Sequence, residues 1–351
     1  MNASVLISQL LGGPPHPGGP PVAHAMTGLM WMPMAPPTVA RMLALHPQPV
    51  PVIPLLALVL GVLYGIAVIR LRRRGDRWPA HRTVMWMLGL AVVFAMTATG
   101  IDGYGMELFS THMIQHMVLS MGAPILLVLG APITLALRAL PARPAGVRSA
   151  RSVLLSVLHS RPAQFLAHPA VVLVLFLASL YGLYFTPLFD ALMSTMWGHN
   201  LMLLHFLAIG FLYFWCVLAI DPTPRRSSRG LRKYAAPTVR IIELAVTAPF
   251  HAFFGVMLMM SAALVVGFYR NPAPSWHVSP LADQAVGGGI AWGFTELPTL
   301  VVLGVLFLQW QRSDERLTRR RERSGARSEA ERLAYNDYLE RLAERDRRTS
   351  A

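Results

Sequence analysis

Seven times along this chain an apolar run of about 20 residues, the length that carries a helix across a bilayer's hydrocarbon core, gives way to a short polar connection. The runs lie at 50–69, 84–101, 111–137, 168–186, 198–219, 239–268 and 286–310. In lipid every backbone N–H and C=O has to find its partner inside the protein, so such runs fold as helices packed on one another. The expected fold is all-α integral membrane, a seven transmembrane helix bundle. Pro124 and Pro132 in the third run and Pro249 in the sixth predict kinks or early ends. Hydrophobic residues make up 54% of the chain and charged residues 14%, a balance foreign to a soluble domain of this size.

The connections alternate in charge, and the alternation predicts orientation. Arg70, Arg72, Arg73, Arg74, Arg77 and Arg82 follow the first run; Arg138, Arg143, Arg148, Arg151 and Arg161 follow the third. Arg225, Arg226, Arg229, Arg232 and Lys233 follow the fifth, and the tail after the seventh is again rich in arginine. The intervening connections hold Arg270 as their one basic residue, beside Asp102, Glu107, Asp190 and Asp283. By the positive-inside rule the N-terminus is outside and the C-terminus cytoplasmic, in a multi-pass membrane protein. The formal charge of +14 is spread over these connections, so it reports topology and no nucleic-acid partner is expected.

Two single residues exclude whole classes of chemistry. Lys233 is the sole lysine and lies in a polar connection, which excludes a retinal Schiff base inside the bundle. Cys216 is the sole cysteine, which excludes an internal disulfide, an iron–sulfur cluster, a zinc finger and a Cys-x-x-Cys metal shuttle. A metal site here has to be built from His, Met or carboxylate.

Residues 1–49 form a Pro-, Gly- and Met-rich segment without the basic start and apolar core of a signal peptide, and are read as retained, irregular and extracytoplasmic. Within it His16, His24, Met26, Met30, Met32, Met34 and His46 can gather metal outside. Residues 50–310 form the transmembrane domain. Residues 311–351 alternate Arg with Glu and Asp, while Leu317, Leu333, Tyr335, Tyr338, Leu339 and Leu342 recur at near-helical spacing. They predict a charged cytoplasmic helical tail, solvated or docked on a partner.

The candidate site is a set of histidines in apolar surroundings. His112 and His116 are one helical turn apart and leave the same helix face, as two ligands of one metal ion do. His199 and His205 lie in the fifth run and His251 in the sixth. The predicted topology puts four of these five in the outer half of the bilayer, with His251 near its middle. Met113, Met117 and Met121 accompany the first pair at intervals of four, Met202 lies between His199 and His205, and Met257, Met259 and Met260 follow His251. Thioethers and imidazoles together suit Cu(I) better than Zn or Mg. Glu296, about ten residues into the last run, is expected as a buried polar partner, and Asp283, at that run's outer end, as a structural hydrogen-bonding group. Nothing resembles a nucleophile with its base or a nucleotide loop, so no enzymatic turnover is expected.

Several motifs in consistent order resemble a known family. They are His112-Met-Ile-Gln-His116, Ala123-Pro-Ile-Leu-Leu-Val-Leu-Gly-Ala-Pro132, Leu140-Pro141, His199-Asn, His205-Phe, Ala219-Ile-Asp-Pro222, Phe250-His-Ala-Phe-Phe-Gly255, Ala282-Asp-Gln284, Trp292 and Glu296-Leu-Pro298. Over about residues 50–310 the chain resembles the CtaG-type cytochrome c oxidase assembly factors of Gram-positive bacteria. Ala285 stands where that family's pattern carries a second glutamine. The resemblance implies a seven-span protein of the bacterial plasma membrane needed to form active haem-copper oxidase, acting in maturation of its copper centre, with oxidase subunits as partners; an extracytoplasmic copper chaperone is a further candidate partner. Three other readings stay open: a haem-binding cytochrome with His205 and His251 as axial ligands, a copper or small-solute transporter, and a metal-free oxidase scaffold.

Overall fold

The computed structural model describes residues 30–141, 149–225 and 237–349; among them the chain forms helices joined by turns, with one isolated bridge between Leu45 and Thr99. His16, His24, Met26, Arg143, Arg148, Arg226, Arg229, Arg232 and Lys233 lie outside the described residues. In chain order the helices are α1 (Val39–Leu43), α2 (Val52–Arg73), α3 (Ala80–Ala98), α4 (Gly100–Glu107) and α5 (Phe109–Met117). A π turn, Val118–Gly122, leads into α6 (Ala123–Leu129) and α7 (Pro132–Ala139). Then come α8 (Ala150–Leu158), α9 (Arg161–Leu166), α10 (Pro169–Tyr184), α11 (Leu188–Met193), α12 (Met196–Leu218), α13 (Pro237–Met260) and α14 (Pro280–Thr349).

Among the described residues, six stretches are long and apolar enough to cross a membrane: Val52–Arg73, Ala80–Ala98, Phe109–Ala139, Met196–Leu218, Val239–Met260 and Pro280–Arg312. The chain is a multi-pass membrane protein. The run at 168–186, read as a full span, folds as the 16-residue α10. At 1.5 Å per residue that is about 24 Å, short of the ~30 Å core. The sixth run is also shorter than expected. Its helix continues through Pro249 but stops at Met260, and the chain to Pro280 is turns and 3-10 segments. The tail is not a separate helix: with no proline after Pro298, α14 continues unbroken to Thr349. Leu333, Tyr335, Tyr338, Leu339 and Leu342 on it are exposed.

The helices run between two ends of opposite character. At one, Arg74 donates to Ala139 O, Arg138 faces Asp76 at 3.6 Å, Arg225 donates to Ala167 O, and Arg240 reaches Leu218 O and Gln309 Oε1. At the other, Tyr269 OH donates to Gly105 O, Asp190 accepts from Phe268 N–H, and Asp283 accepts from Phe109 N–H. Residues 30–48 fold over this second, acidic end. Gln48 clamps the backbone of Trp31, accepting from its N–H at 2.9 Å and donating to its carbonyl at 3.3 Å, and Trp31 stacks on His46 at 4.3 Å. Tyr104 OH donates to Ala35 O, and Trp276 Nε1 to Met34 O, completing the roof.

Two close approaches tighten the bundle, as small residues do between membrane helices. A Cβ on Gly255 of α13 would stand 2.6 Å from Trp292 N of α14, and one on Gly210 of α12 would stand 2.1 Å from Ser120 O in the π turn. Pro124 cannot donate to that carbonyl, and the glycine lets α12 press against it.

Candidate functional site

The histidine helix α5 is held from outside itself. Its cap position, Leu108, has no capping side chain. Asp283 of α14 supplies the missing acceptor, taking the Phe109 N–H at 2.6 Å and the Ser110 N–H at 3.4 Å. Its neighbour Gln284 accepts from Val265 N–H at 2.7 Å and donates to Leu258 O and Ala263 O, closing the far end of α13. The Asp283-Gln284 pair thus sets the two helices that carry His112, His116 and His251. Asp221 repeats the device. Ala219, at φ 46°, ends α12 and brings Asp221 to the start of α7, where it accepts from Ile133 N–H and Thr134 N–H at 2.9 Å.

Asp283→Ala is expected to cost about 1.5–3 kcal/mol, the range for a hydrogen bond to a charged group, and Asp283→Asn less. Denaturant unfolding in micelles measures it, and an unchanged midpoint would refute the capping role.

Four of the five histidines are buried: His112 at 0% exposure, His199 at 1%, His116 and His251 at 2%. Each has a different environment. His199 Nε2 meets Asp102 Oδ1 at 3.1 Å and its Nδ1 faces the Met193 thioether at 3.3 Å; Asp102 also accepts from Gln115 Nε2 at 2.8 Å. His112 Nε2 bonds Tyr184 OH at 3.0 Å while its Nδ1 has no partner. His116, next to Phe206 with ring centroids 4.0 Å apart, has no partner at either nitrogen. His251 Nδ1 meets Thr295 Oγ1 at 2.7 Å and its Nε2 has no partner.

Thr295 Oγ1 stands 2.7 Å from both His251 Nδ1 and Ala291 O. With its one O–H given to Ala291 O, His251 Nδ1 is the donor and Nε2 is left with a bare lone pair, the arrangement of a ligating histidine oriented by its other nitrogen. His116, His251 and Ser120, whose hydroxyl is also unpartnered, line one small cavity of about 10 Å³ together with Phe176, Ser179 and Phe206. It lies beside the π turn, a helix irregularity that recurs at functional sites.

Residues 62–313 match the family described as cytochrome c oxidase caa3 assembly factor, well over half of the chain. The chain belongs to this family. It is also 44% identical over 315 residues to uncharacterized proteins of Mycobacterium bovis and Mycobacterium tuberculosis, and 42% identical over 291 residues to one of Mycobacterium leprae. Those alignments cover 88% and 82% of this chain but 46% and 43% of the relatives, so the chain spans less than half of their length. No solved structure matches it.

In this family member two of the sequence expectations need revision. Glu296, expected as a buried polar partner, is exposed on α14. One residue is about 100° of helix rotation, so the inward position belongs to Thr295, at 3% exposure. His205 also lies apart from the buried four, exposed on α12 and bonded through Nε2 to Ser179 Oγ at 2.7 Å. Met113 and Met117 are fully buried core residues. The thioether facing an imidazole nitrogen is that of Met193, which the sequence reading missed, along with Asp102, Tyr184, Ser120 and Thr295. Asp102 and Thr295 stood in plain view as polar residues at the edge of or inside apolar runs; the others carry no signal above ordinary packing.

Proposed function

We propose that this oxidase assembly factor carries copper as Cu(I) in the cavity between His116 and His251 and passes it to a maturing oxidase subunit. The observation that carries the reading is a concentration of unsatisfied groups: both nitrogens of His116, Nε2 of His251 and the Ser120 hydroxyl. Each buried polar group without a partner costs about 1–3 kcal/mol, so gathering several around one cavity makes sense when an occupant repays them. Cu(I) suits the donors because it accepts two neutral nitrogens in a linear arrangement and is the softest of the common cations. Zinc fits less well: it takes four ligands, and no group of three or more His, Cys, Asp or Glu among the described residues is placed to hold a metal. The cavity is also far too small for a haem. His112 and His199 continue the row of imidazoles toward the acidic end and serve as relay positions.

The charge of the two ends supports the orientation read from sequence. With the arginine end cytoplasmic, the acidic end and its roof face outward, the short α10 together with its flanking turns makes the seventh crossing, and the imidazoles lie in the outer half of the membrane. Anaerobic Cu(I) titration of the purified protein against a colorimetric chelator tests the proposal. One copper per chain is expected for the wild type and no competitive binding for His116→Ala/His251→Ala. Equal binding by both, or by neither, returns the cavity to its rival occupant, a single water, and leaves a metal-free scaffold.

A further inference from the structure

We infer that the buried cavity exchanges its occupant sideways, in the plane of the membrane, through the seam between α10 and α12. Ser179 and Ile209 form the wall of this seam and His205 stands at its mouth. The identity of the cargo rests on the copper reading; the route does not. Ser179 and Ile209 line the cavity of His116 and His251 on one side and a groove of about 500 Å³ on the other. One layer of side chain therefore separates the buried site from the exterior of the bundle. The groove opens between two membrane-embedded helices and is lined by residues such as Leu175, Leu183 and Met202. Its polar residues are Ser179 and His205, joined by the 2.7 Å bond already described.

An exposed imidazole among apolar side chains is costly at membrane depth and calls for a use. At the mouth of the seam it is the first nitrogen donor that a cation meets. The wall is also thin on the α10 side, where Ala178, Ser179 and Gly182 present little bulk and a Cβ added at Gly182 would touch nothing within 4 Å. The alternative way in, along the bundle axis from the acidic end, is roofed by the Trp31–Gln48 clamp and by Tyr104 and Trp276. Parting Ser179 from His205 opens the seam; remaking that bond closes it.

The experiment follows access to position 120 without copper. In a Cys216→Ser background, Ser120→Cys places one thiol in the cavity, and its reaction with methylmercury in micelles gives a rate. Ser179→Phe is expected to slow that rate at least about tenfold, and Gln48→Ala, which loosens the roof, to leave it unchanged. Gly182→Leu, which adds bulk in open space, is expected to slow it in the same direction should Ser179→Phe fail to fold. A rate indifferent to the seam substitutions, a rate raised by Gln48→Ala, or no reaction in the unobstructed protein would each overturn the route. Cu(I) binding, measured separately, reports on the cargo: normal labelling behaviour without copper binding keeps the seam and discards the metal.

Discussion

Replacing His116 by leucine is expected to leave the bundle at least as stable as before while abolishing copper binding and the formation of active oxidase. The sign follows from what the side chain does now. Both of its nitrogens are buried without a partner, and removing such groups recovers about 1–3 kcal/mol each in the general case. Against this stands the edge-to-face contact with Phe206 and the weaker one with Tyr184, together worth roughly 1–2 kcal/mol. Leucine is close to histidine in volume, so no large cavity is left to add its own penalty. A histidine retained for packing or helix pairing gives the opposite result, a clear loss of stability with function falling in proportion to folded protein. Thermal unfolding in micelles, beside copper content and oxidase activity in cells complemented with the variant, separates the two. A destabilised variant that still matures oxidase per folded molecule would sink the copper proposal.

Asp102→Leu should be strongly destabilising. Asp102 is 3% exposed and answers both the Gln115 amide, at 2.8 Å, and His199 Nε2, at 3.1 Å. Removing Asp102 leaves His199 Nε2 buried without its partner and strips Gln115 of one of its two acceptors, Met96 O remaining, at about 1–3 kcal/mol for each buried group left unsatisfied. His199→Phe in the same chain removes the stranded imidazole and should recover most of that loss, because the pair itself contributes little net once its desolvation is counted. A double-mutant cycle on unfolding free energies measures the coupling, and strictly additive costs would show that the two side chains do not act as a unit. The pair sits at the head of the imidazole row, so the doubly substituted protein also reports whether the His199 position is needed for oxidase maturation when the fold is intact.

Much of this was written along the chain. The apolar runs, the alternation of arginine-rich and acidic connections, and the one-turn spacing of His112 and His116 each follow from periodicity and composition, which need no knowledge of neighbours. The motifs of the family were legible too, but their roles were not. Asp283 is a remote cap that sets the helix carrying His112 and His116, and Asp221 is a remote cap of α7. Helix capping by a residue 174 or 88 positions away leaves no local pattern to read. The overlong reading of 168–186 and 239–268 has a related cause. Hydropathy sums apolar residues whether or not the chain stays helical, so it ran past the ends of α10 and α13.

What the amino-acid order determined by itself was the solvent this protein lives in, the helices it has to form there and the residue types available to any site, because those depend on transfer free energies and turn geometry along the chain. Which of the five histidines point at one another was decided by the tertiary structure. Rotation of 100° per residue turned Glu296 out and Thr295 in, the clamp at Phe109 fixed how far α5 is rotated, and the close approach at Gly210 placed the π turn and its serine beside the cavity. Convergence of side chains is a property of how helices pack, and packing is settled by contacts between residues far apart in sequence.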